Sequence, residues 1–413
     1  MTGNANSPRP PLDGLRVLDL SRVISGPYLT MILSDLGAEV VKVEHPVGGD
    51  DSRQYGGKGD GKEAPVFVGL NRGKRSIAID LRTGDGQDVA RRLAARCDVL
   101  VENYRAGAMA RMGLDYPALS AVNPGLVFCS ISGYGSDGAL AGLGGYDPIV
   151  QAETGLMYLT GDPACPPVRA GGSVIDSLTG LHAGMAILAA LRERDRSGLG
   201  QFVDVALFDT AMASIGFILQ GCLLTGEDPP RLGNMSFFTC PNGVYHCADG
   251  DLMMSAGNDR LFRKLVIEVL QQPQLAEDPR FATNADRLQH MDALTEALNA
   301  TFSRAPREHW VQRLRDCGVP AGAVRRPSEA VASAETSERG MIQPMDHPTL
   351  GRVGTVGSPL HLSRSGTRPI APSPLLGEHT IEVLRDVLGL GDDQIAALKA
   401  SGAVSHAEPD RKL

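Results

Sequence analysis

Positive charge is in deficit in this 413-residue chain: 40 Lys and Arg stand against 48 Asp and Glu, a formal net charge of −8. Phosphate backbones are bound through an excess of basic residues, so this balance argues against a general nucleic-acid binder and allows only local basic patches. Cysteine is sparse as well. The seven, Cys97, Cys129, Cys165, Cys222, Cys240, Cys247 and Cys317, are odd in number and scattered, with neither a C-x-x-C pair nor a zinc-type His/Cys cluster. They fit reduced thiols and a cytoplasmic location, with no bound metal expected. The chain lacks a G-x-S-x-G elbow, a Walker sequence and an H-E-x-x-H pattern, so hydrolase and nucleotide-driven readings have no support.

Residues 1–14, MTGNANSPRPPLDG, are polar and proline-rich, with neither the apolar core of a signal peptide nor an Arg-rich amphipathic pattern, and read as a short tail. Long hydrophobic runs are also missing. The best candidate for a membrane span, residues 210–226 (TAMASIGFILQGCLLTG), is short, contains glycine and is interrupted by Gln220, which suits a buried or interface helix.

What is present is a globular composition, 42% apolar and 21% charged, with length enough for two domains. GLRVLDLSRVISGPYLTMILSDLGAEVVKVE reads as strand, loop, helix, strand, with Pro27 at the first helical position. KRSIAIDL, GQDVARRLAARC, DVLVENY and LVFCSIS continue the alternation, which implies an α/β fold with a mostly parallel, Rossmann-like sheet covered on both faces. Gly180 and Gly184 lie one helical turn apart, a spacing that lets another backbone come close. A cluster of Gly, Pro and charge, GEDPPRL, marks a boundary. The expected organisation is a large domain over 1–228, a small α+β domain over 229–327, and a C-terminal segment, 328–413, that packs back on the large domain.

GYGSDG, Gly133 to Gly138, matches G-x-G-x-x-G after a strand, but no helix starts inside it and no acidic residue ends a second strand at the right distance, so it reads as a tight loop rather than a dinucleotide site. Basic residues gather near strand ends: Lys74 and Arg75 before one strand, Arg82 after it, Arg105 and Arg111 after the next. In open α/β sheets ligands sit at strand ends, and guanidinium groups there suit phosphates, although solvated surface charge explains the same spacing. Asp176 precedes a long uncharged run, and by local pattern it is a helix cap. A helix N-terminus would also keep such an Asp ionised, as a carboxylate nucleophile requires.

Taken in order from about Pro11 to about Leu390, GLRVLDLSRVISGP, DLGAEVVKVEHPVGGD, NRGKRSIAIDLR, VENYRAGAMARMGL, SISGYGSDG, GGYDPIVQAETGLM, VIDSLTGLHAG and SGLGQFVDVALFDTA resemble the family III CoA-transferases, typified by formyl-CoA and carnitine CoA-transferases. The resemblance implies an interlocked homodimer whose large Rossmann-like domain is built from both chain ends. It places the catalytic nucleophile on Asp176, which attacks an acyl-CoA thioester to give an aspartyl anhydride and then an enzyme-bound CoA thioester. No tightly bound cofactor is implied; CoA enters as acyl-CoA substrate and leaves as product, and neither nucleic acid nor membrane is an expected partner.

For CoA the family pattern points to Ile24, Ser25, His45, Ile79, Asp80, Leu81, Arg82, Asn103, Tyr104, Arg105, Arg111, Leu143, Gly144, Gly145 and Tyr146. A glycine-rich loop that covers the intermediate matches Ala256, Gly257 and Asn258. Members that use succinyl-CoA with dicarboxylic acceptors are closest in wording, with Arg53 or Arg169 as partner for a distal carboxylate. Two alternatives stand beside the transferase. One is an α-methylacyl-CoA racemase, which carries His and Glu near the positions of Tyr146 and Asn258. The other is a non-catalytic CoA-binding protein.

Overall fold

A computed structural model of the chain describes residues 9–56 and 63–406; part of the expected N-terminal tail lies outside them. The residues form two compact units: the larger takes the chain up to Thr154, Ala170–Leu219 and Glu335 onward, and the smaller takes Gly155–Arg169 and Gln220–Ala334. The smaller unit is thus wider than the 229–327 read from sequence, and it includes a segment assigned there to the large domain. The local cause is visible: Gly233 N–H donates to Gly161 O at 3.0 Å, tying that segment to the chain beyond residue 220.

In the larger unit, β1 (Arg16–Asp19), β2 (Glu39–Glu44), β3 (Arg75–Ile79), β4 (Val99–Glu102), β5 (Val127–Ser132) and β6 (Phe202–Ala206) form a parallel sheet in the order β3-β2-β1-β4-β5-β6. The central strands are almost wholly buried, as expected where helices cover both faces; β4 and β5 are mostly apolar, while β2 carries the buried charges Lys42 and Glu44. Strand order reverses between β1 and β4, which opens a crevice at the carboxyl ends of the strands. The C-terminal segment returns to this sheet. Val404–Ser405 pairs antiparallel with β3, and Val383, Leu384 and Ile395 join Ile77 and Val89 in one core.

α1 (Ser25–Asp35) starts two residues earlier than the sequence suggests, so Pro27 is its third residue. The first four amides of a helix have no intrahelical acceptor, and proline fits at any of the first positions. α2 (Gly84–Ala94) connects β3 to β4, with Thr83 as its cap. After β5 come α3 (Asp147–Glu153) and the 24-residue α4 (Val174–Ser197), which ends at Gly198 with φ 75°. Gly180 is required by the α1 contact: a Cβ there would lie 2.8 Å from Ser25 O and 3.3 Å from Tyr28.

α4 is long and apolar enough to cross a membrane by length and composition alone. Yet it packs on α1, its buried residues including Ile175, Thr179, Gly180 and Ala183. The stretch 210–226 is not one helix. It is broken into Leu207–Ser214 and Gly216–Thr225 with a 71° bend, and the second piece buries no residue within the single chain.

The smaller unit has an antiparallel sheet, β7 (Asn242–Cys247), β8 (Gly250–Ser255) and β9 (Ala321–Ala323), over helices Met291–Phe302 and Arg307–Asp316. Its core stacks Tyr245, Phe302 and Trp310, with ring centroids 5.6 and 5.3 Å apart in turn. The proline- and glycine-rich run after residue 340 holds a hairpin, Ile342–His347 against Gly351–Val356, which the sequence does not announce. Pro344 and Gly354 interrupt the strand pattern, and both strands are largely exposed, so no clear apolar alternation marks them.

Candidate active site

The loop from β1 to α1 is held from beneath by buried charge. Asp19 accepts from Ser21 N–H at 3.0 Å, Thr30 Oγ1 at 2.7 Å and Lys74 Nζ at 3.0 Å. Lys42 Nζ donates to Ser21 O and contacts Asp50 Oδ2, both at 2.8 Å. Asp50 in turn accepts from Val23 N–H at 3.1 Å and from Ser52. Burial alone would raise the Asp19 carboxyl, but Lys74 and Lys42 reverse that and keep it ionised. Val23 is thereby held at φ 71°, a left-handed conformation that a β-branched residue adopts only when its surroundings impose it.

Above this network the carboxyl ends of β1 to β4 enclose a cleft of about 360 Å³. Six of the CoA candidates line it: His45, Ile79, Asp80, Leu81, Arg82 and Tyr104. Arg22, which sequence reading passed over, lines it too; its guanidinium lies 5.1 Å from the Tyr104 ring centroid. Asn103 fixes that residue by accepting from Arg22 N–H and donating to Arg22 O, each at 2.8 Å. Asp80 grips Arg82 through Nε and Nη2 at 2.8 and 2.7 Å, and this bonding holds the Asp80 carboxyl down at about 2. Arg82 therefore stands exposed but oriented at the mouth of the cleft. His45 Nδ1 is engaged by Val47, and Nε2 lies 3.9 Å from Asp80.

The other CoA candidates do not line this cleft. Arg105 and Arg111 are exposed, and Arg105 Nη2 lies close to Gly144, so two segments distant in sequence meet. Leu143 and Tyr146 are exposed at 58% and 66%. Gly133 explains the GYGSDG loop: a Cβ there would come 2.5 Å from Gly145 Cα, so the first glycine admits a crossing backbone. Ile24 is half-buried beside Ser25, whose hydroxyl points to Asp176.

Asp176 is not the cap of α4. It lies in the first turn, two residues past Val174, and the capping acceptor is Asp147 from α3, a residue the sequence reading did not single out. Asp147 Oδ2 accepts from Ile175 N–H at 2.7 Å and Asp176 N–H at 3.1 Å. Its Oδ1 is bonded by Gln151 Nε2 at 2.5 Å, and Gln151 Oε1 accepts from Ala170 N–H at 2.9 Å. A cap of this kind contributes about 1 kcal/mol. The expected stabilisation of an ionised Asp176 by the helix end does not hold either. Burial, and then the neighbouring Asp147 charge, push the Asp176 carboxyl up to about 7 despite the Ser25 hydroxyl, and no basic group among the described residues offsets them. The signal available in sequence was the acid of GGYDPIV, but Asp followed by Pro reads as the start of its own helix.

Two further expectations are corrected. Arg53 is closed to an acceptor acid: Glu44 binds it through two bonds of 2.7 and 2.8 Å, Pro374 O takes another, and the guanidinium stacks 3.5 Å from the Phe67 ring centroid. Lys74 and Arg75 are structural, Lys74 buried against Asp19 and Arg75 paired with Glu39 and Glu382. Arg169 is exposed in the smaller unit. Ala256, Gly257 and Asn258 also lie in that unit. Ala256 N–H donates to Pro241 O, Gly257 packs where a Cβ would meet Thr239 at 2.2 Å, and Asn258 caps the helix Asp259–Lys264. All seven cysteines are free, and no cluster suited to a metal occurs among the described residues.

Residues 12–380 match the family model CoA-transferase family III. The chain belongs to this family. It is 36% identical to succinyl-CoA:glutarate CoA-transferase from Mus musculus, with 96% of this chain and 91% of that one covered. It is 40% identical to acetyl-CoA:oxalate CoA-transferase from Acetobacter aceti, covering 81% and 86%. Among solved structures it resembles a CAIB/BAIF family protein from Brucella suis, with a TM-score of 0.83, 38% identity, and 92% and 100% of the two chains covered. The protein is accordingly a CoA-transferase, and the family's substrates are CoA thioesters and carboxylic acids.

The Asp176 environment has a measurable consequence for this CoA-transferase. Its carboxyl titrates near 7 when folded, against 3.8 for the free group, so the folded state holds the proton more tightly. The resulting stability is fully present below about pH 4 and is lost as pH rises through 7. Asp176→Asn escapes that loss. Its melting temperature should exceed the parent's by several degrees at pH 8, with the gap narrowing steadily toward pH 4; a gap independent of pH would contradict the assignment.

Proposed function

We propose that the enzyme transfers CoA from succinyl-CoA to a dicarboxylic acid, with Asp176 as the covalent nucleophile. The observation that carries this reading is the Asp176 carboxyl itself: half-buried, bonded by Ser25, unpaired with any cation among the described residues and pushed up to about 7. An ionised carboxylate so poorly stabilised is a stronger nucleophile than a solvated one.

An Asp176 oxygen attacks the thioester carbonyl carbon; the C–S bond breaks and the electron pair leaves with the CoA sulfur, giving an aspartyl acyl anhydride. The thiolate then attacks the aspartyl carbonyl carbon and expels the donor carboxylate, which leaves an aspartyl-CoA thioester. The acceptor carboxylate displaces the thiolate to form a second anhydride, and the thiolate takes the acceptor's acyl carbon, which restores Asp176. One thioester replaces another, so no nucleotide is consumed. In this scheme the cleft at the strand ends receives CoA, with Arg22 and Arg82 at its rim offered to phosphates and Arg105 and Arg111 nearby. The dicarboxylate assignment leans on the sequence wording and on the glutarate and oxalate enzymes among the relatives.

The acting species is proposed to be a homodimer in the cytoplasm. Leu181, Met185 and Leu188 repeat at helical spacing on α4 and are 43%, 59% and 40% exposed in the single chain, an apolar stripe that a second copy would cover.

Incubation with acyl-CoA followed by hydroxylamine or borohydride should place the modification on the peptide that carries Asp176, and Asp176→Asn should fold while losing roughly a thousandfold or more of transfer. An unmodified peptide while donor is being consumed would end the covalent reading. Succinyl-, acetyl- and formyl-CoA assayed against a panel of acids should give highest kcat/KM for succinyl-CoA with a dicarboxylate; inactivity of every dicarboxylate rejects that acceptor class. Light scattering at micromolar concentration should return twice the chain mass, and a monomeric mass would contradict the dimer.

A further inference from the structure

Two carboxyl groups converge on the first turn of α4, and only one of them has the helix end. Asp147, 3% exposed, directs Oδ2 to the amides of Ile175 and Asp176. The amide of Gln151, itself fully buried, donates to Oδ1, and its own oxygen is pinned by Ala170 N–H. Three N–H donors thus converge on this one buried carboxyl. The positive end of α4, which in an uncapped helix would lower the energy of an ionised Asp176, is thus already neutralised by another anion.

Resting on the reading of Asp176 as nucleophile, we infer that Asp147 is a positioning residue of the transfer reaction: its fixed charge on the first amides of α4 orients Asp176 and withholds the helix's stabilisation from it, keeping the nucleophile basic. Asp147 touches no reacting atom. It acts through the backbone of the residue it positions and through charge. The groups that face Asp176 come from two other helices: Asp147 from α3, which opposes ionisation, and the Ser25 hydroxyl from α1, which favours it. Burial adds to the Asp147 effect. A nucleophile left basic reacts faster once ionised, and the cost is that part of it is protonated near neutrality.

The test is the pH dependence of kcat/KM for the donor acyl-CoA, which reports ionisations of the free enzyme. The parent should show an acid limb near pH 7. In Asp147→Asn that limb should move down by about one unit or more, and the plateau above pH 8 should fall several-fold, because the carboxylate is then easier to form but a weaker base. Gln151→Met leaves the Asp147 charge on the amides, so it should keep the parent's acid limb even where its rate drops. A purely structural role for Asp147 would lower the rate of both variants at every pH without moving the limb, and that result overturns the inference. Asp147→Ser, which retains an acceptor without charge, replaces Asn if the latter does not fold, with the same expected shift. Hydroxylamine trapping at Asp176 in the parent separates the two claims: no adduct removes the nucleophile reading, whereas an adduct with an unmoved limb in the folded neutral variants removes only the role of Asp147.

Discussion

The buried contact of Lys42 with Ser21 O and Asp50 is the interaction on which the rest of the site depends. An ammonium group with no exposure lies between the carboxyl ends of β1 and β2, and Asp19, Asp50 and Glu44 keep it charged. Breaking one partner of such a cluster costs about 3–5 kcal/mol, because an uncompensated charge is left inside. The cluster does more than hold the sheet. Through Asp19 and Asp50 it sets the backbone of Ser21 and Val23, and with it the start of α1. One wall of the cleft, at Arg22, and the hydroxyl that reaches Asp176, at Ser25, are both carried by that short loop.

At the second focus of the site the logic is reversed, since a charge is left poorly compensated. Asp147 takes the amides that could have served Asp176, and Gln151 and Ala170 make that choice permanent. The fold gives up some stability above pH 7 by leaving the Asp176 carboxylate poorly compensated. Gly180 brings α1 against α4 closely enough for Ser25 to meet Asp176, so the same helix pair that packs the unit also sets the surroundings of the proposed nucleophile.

Much of this was legible from local pattern. The alternation of apolar strands with amphipathic helices identifies a parallel α/β sheet, because strands buried on both faces must be apolar throughout. Gly180 signalled a close backbone approach whose partner, Ser25, only the tertiary structure names, whereas the loop at Gly133 read as tight with no sign of the Gly145 backbone that crosses it. The hairpin after residue 340 was not legible, since exposed strands with Pro344 and Gly354 carry no apolar alternation. Nor was the exchange of segment 155–169 to the smaller unit, where Gly161 O accepts from Gly233 N–H. Arg53 and Lys74 looked like ligand-binding cations because spacing does not reveal that Glu44 and Asp19 already hold them.

The order of residue types was enough for the class of sheet and the family resemblance, and it singled out Asp176 as the proposed nucleophile. Tertiary structure alone decided what that residue experiences. The acid that caps α4 is 29 positions earlier in the chain than the amide of Asp176 that it binds. Sequence spacing therefore assigned the cap to Asp176, while packing of α3 against the helix end assigned it to Asp147. A carboxyl's proton affinity is set by the charges and solvent within a few ångströms of it, and those neighbours are brought together only when the chain folds.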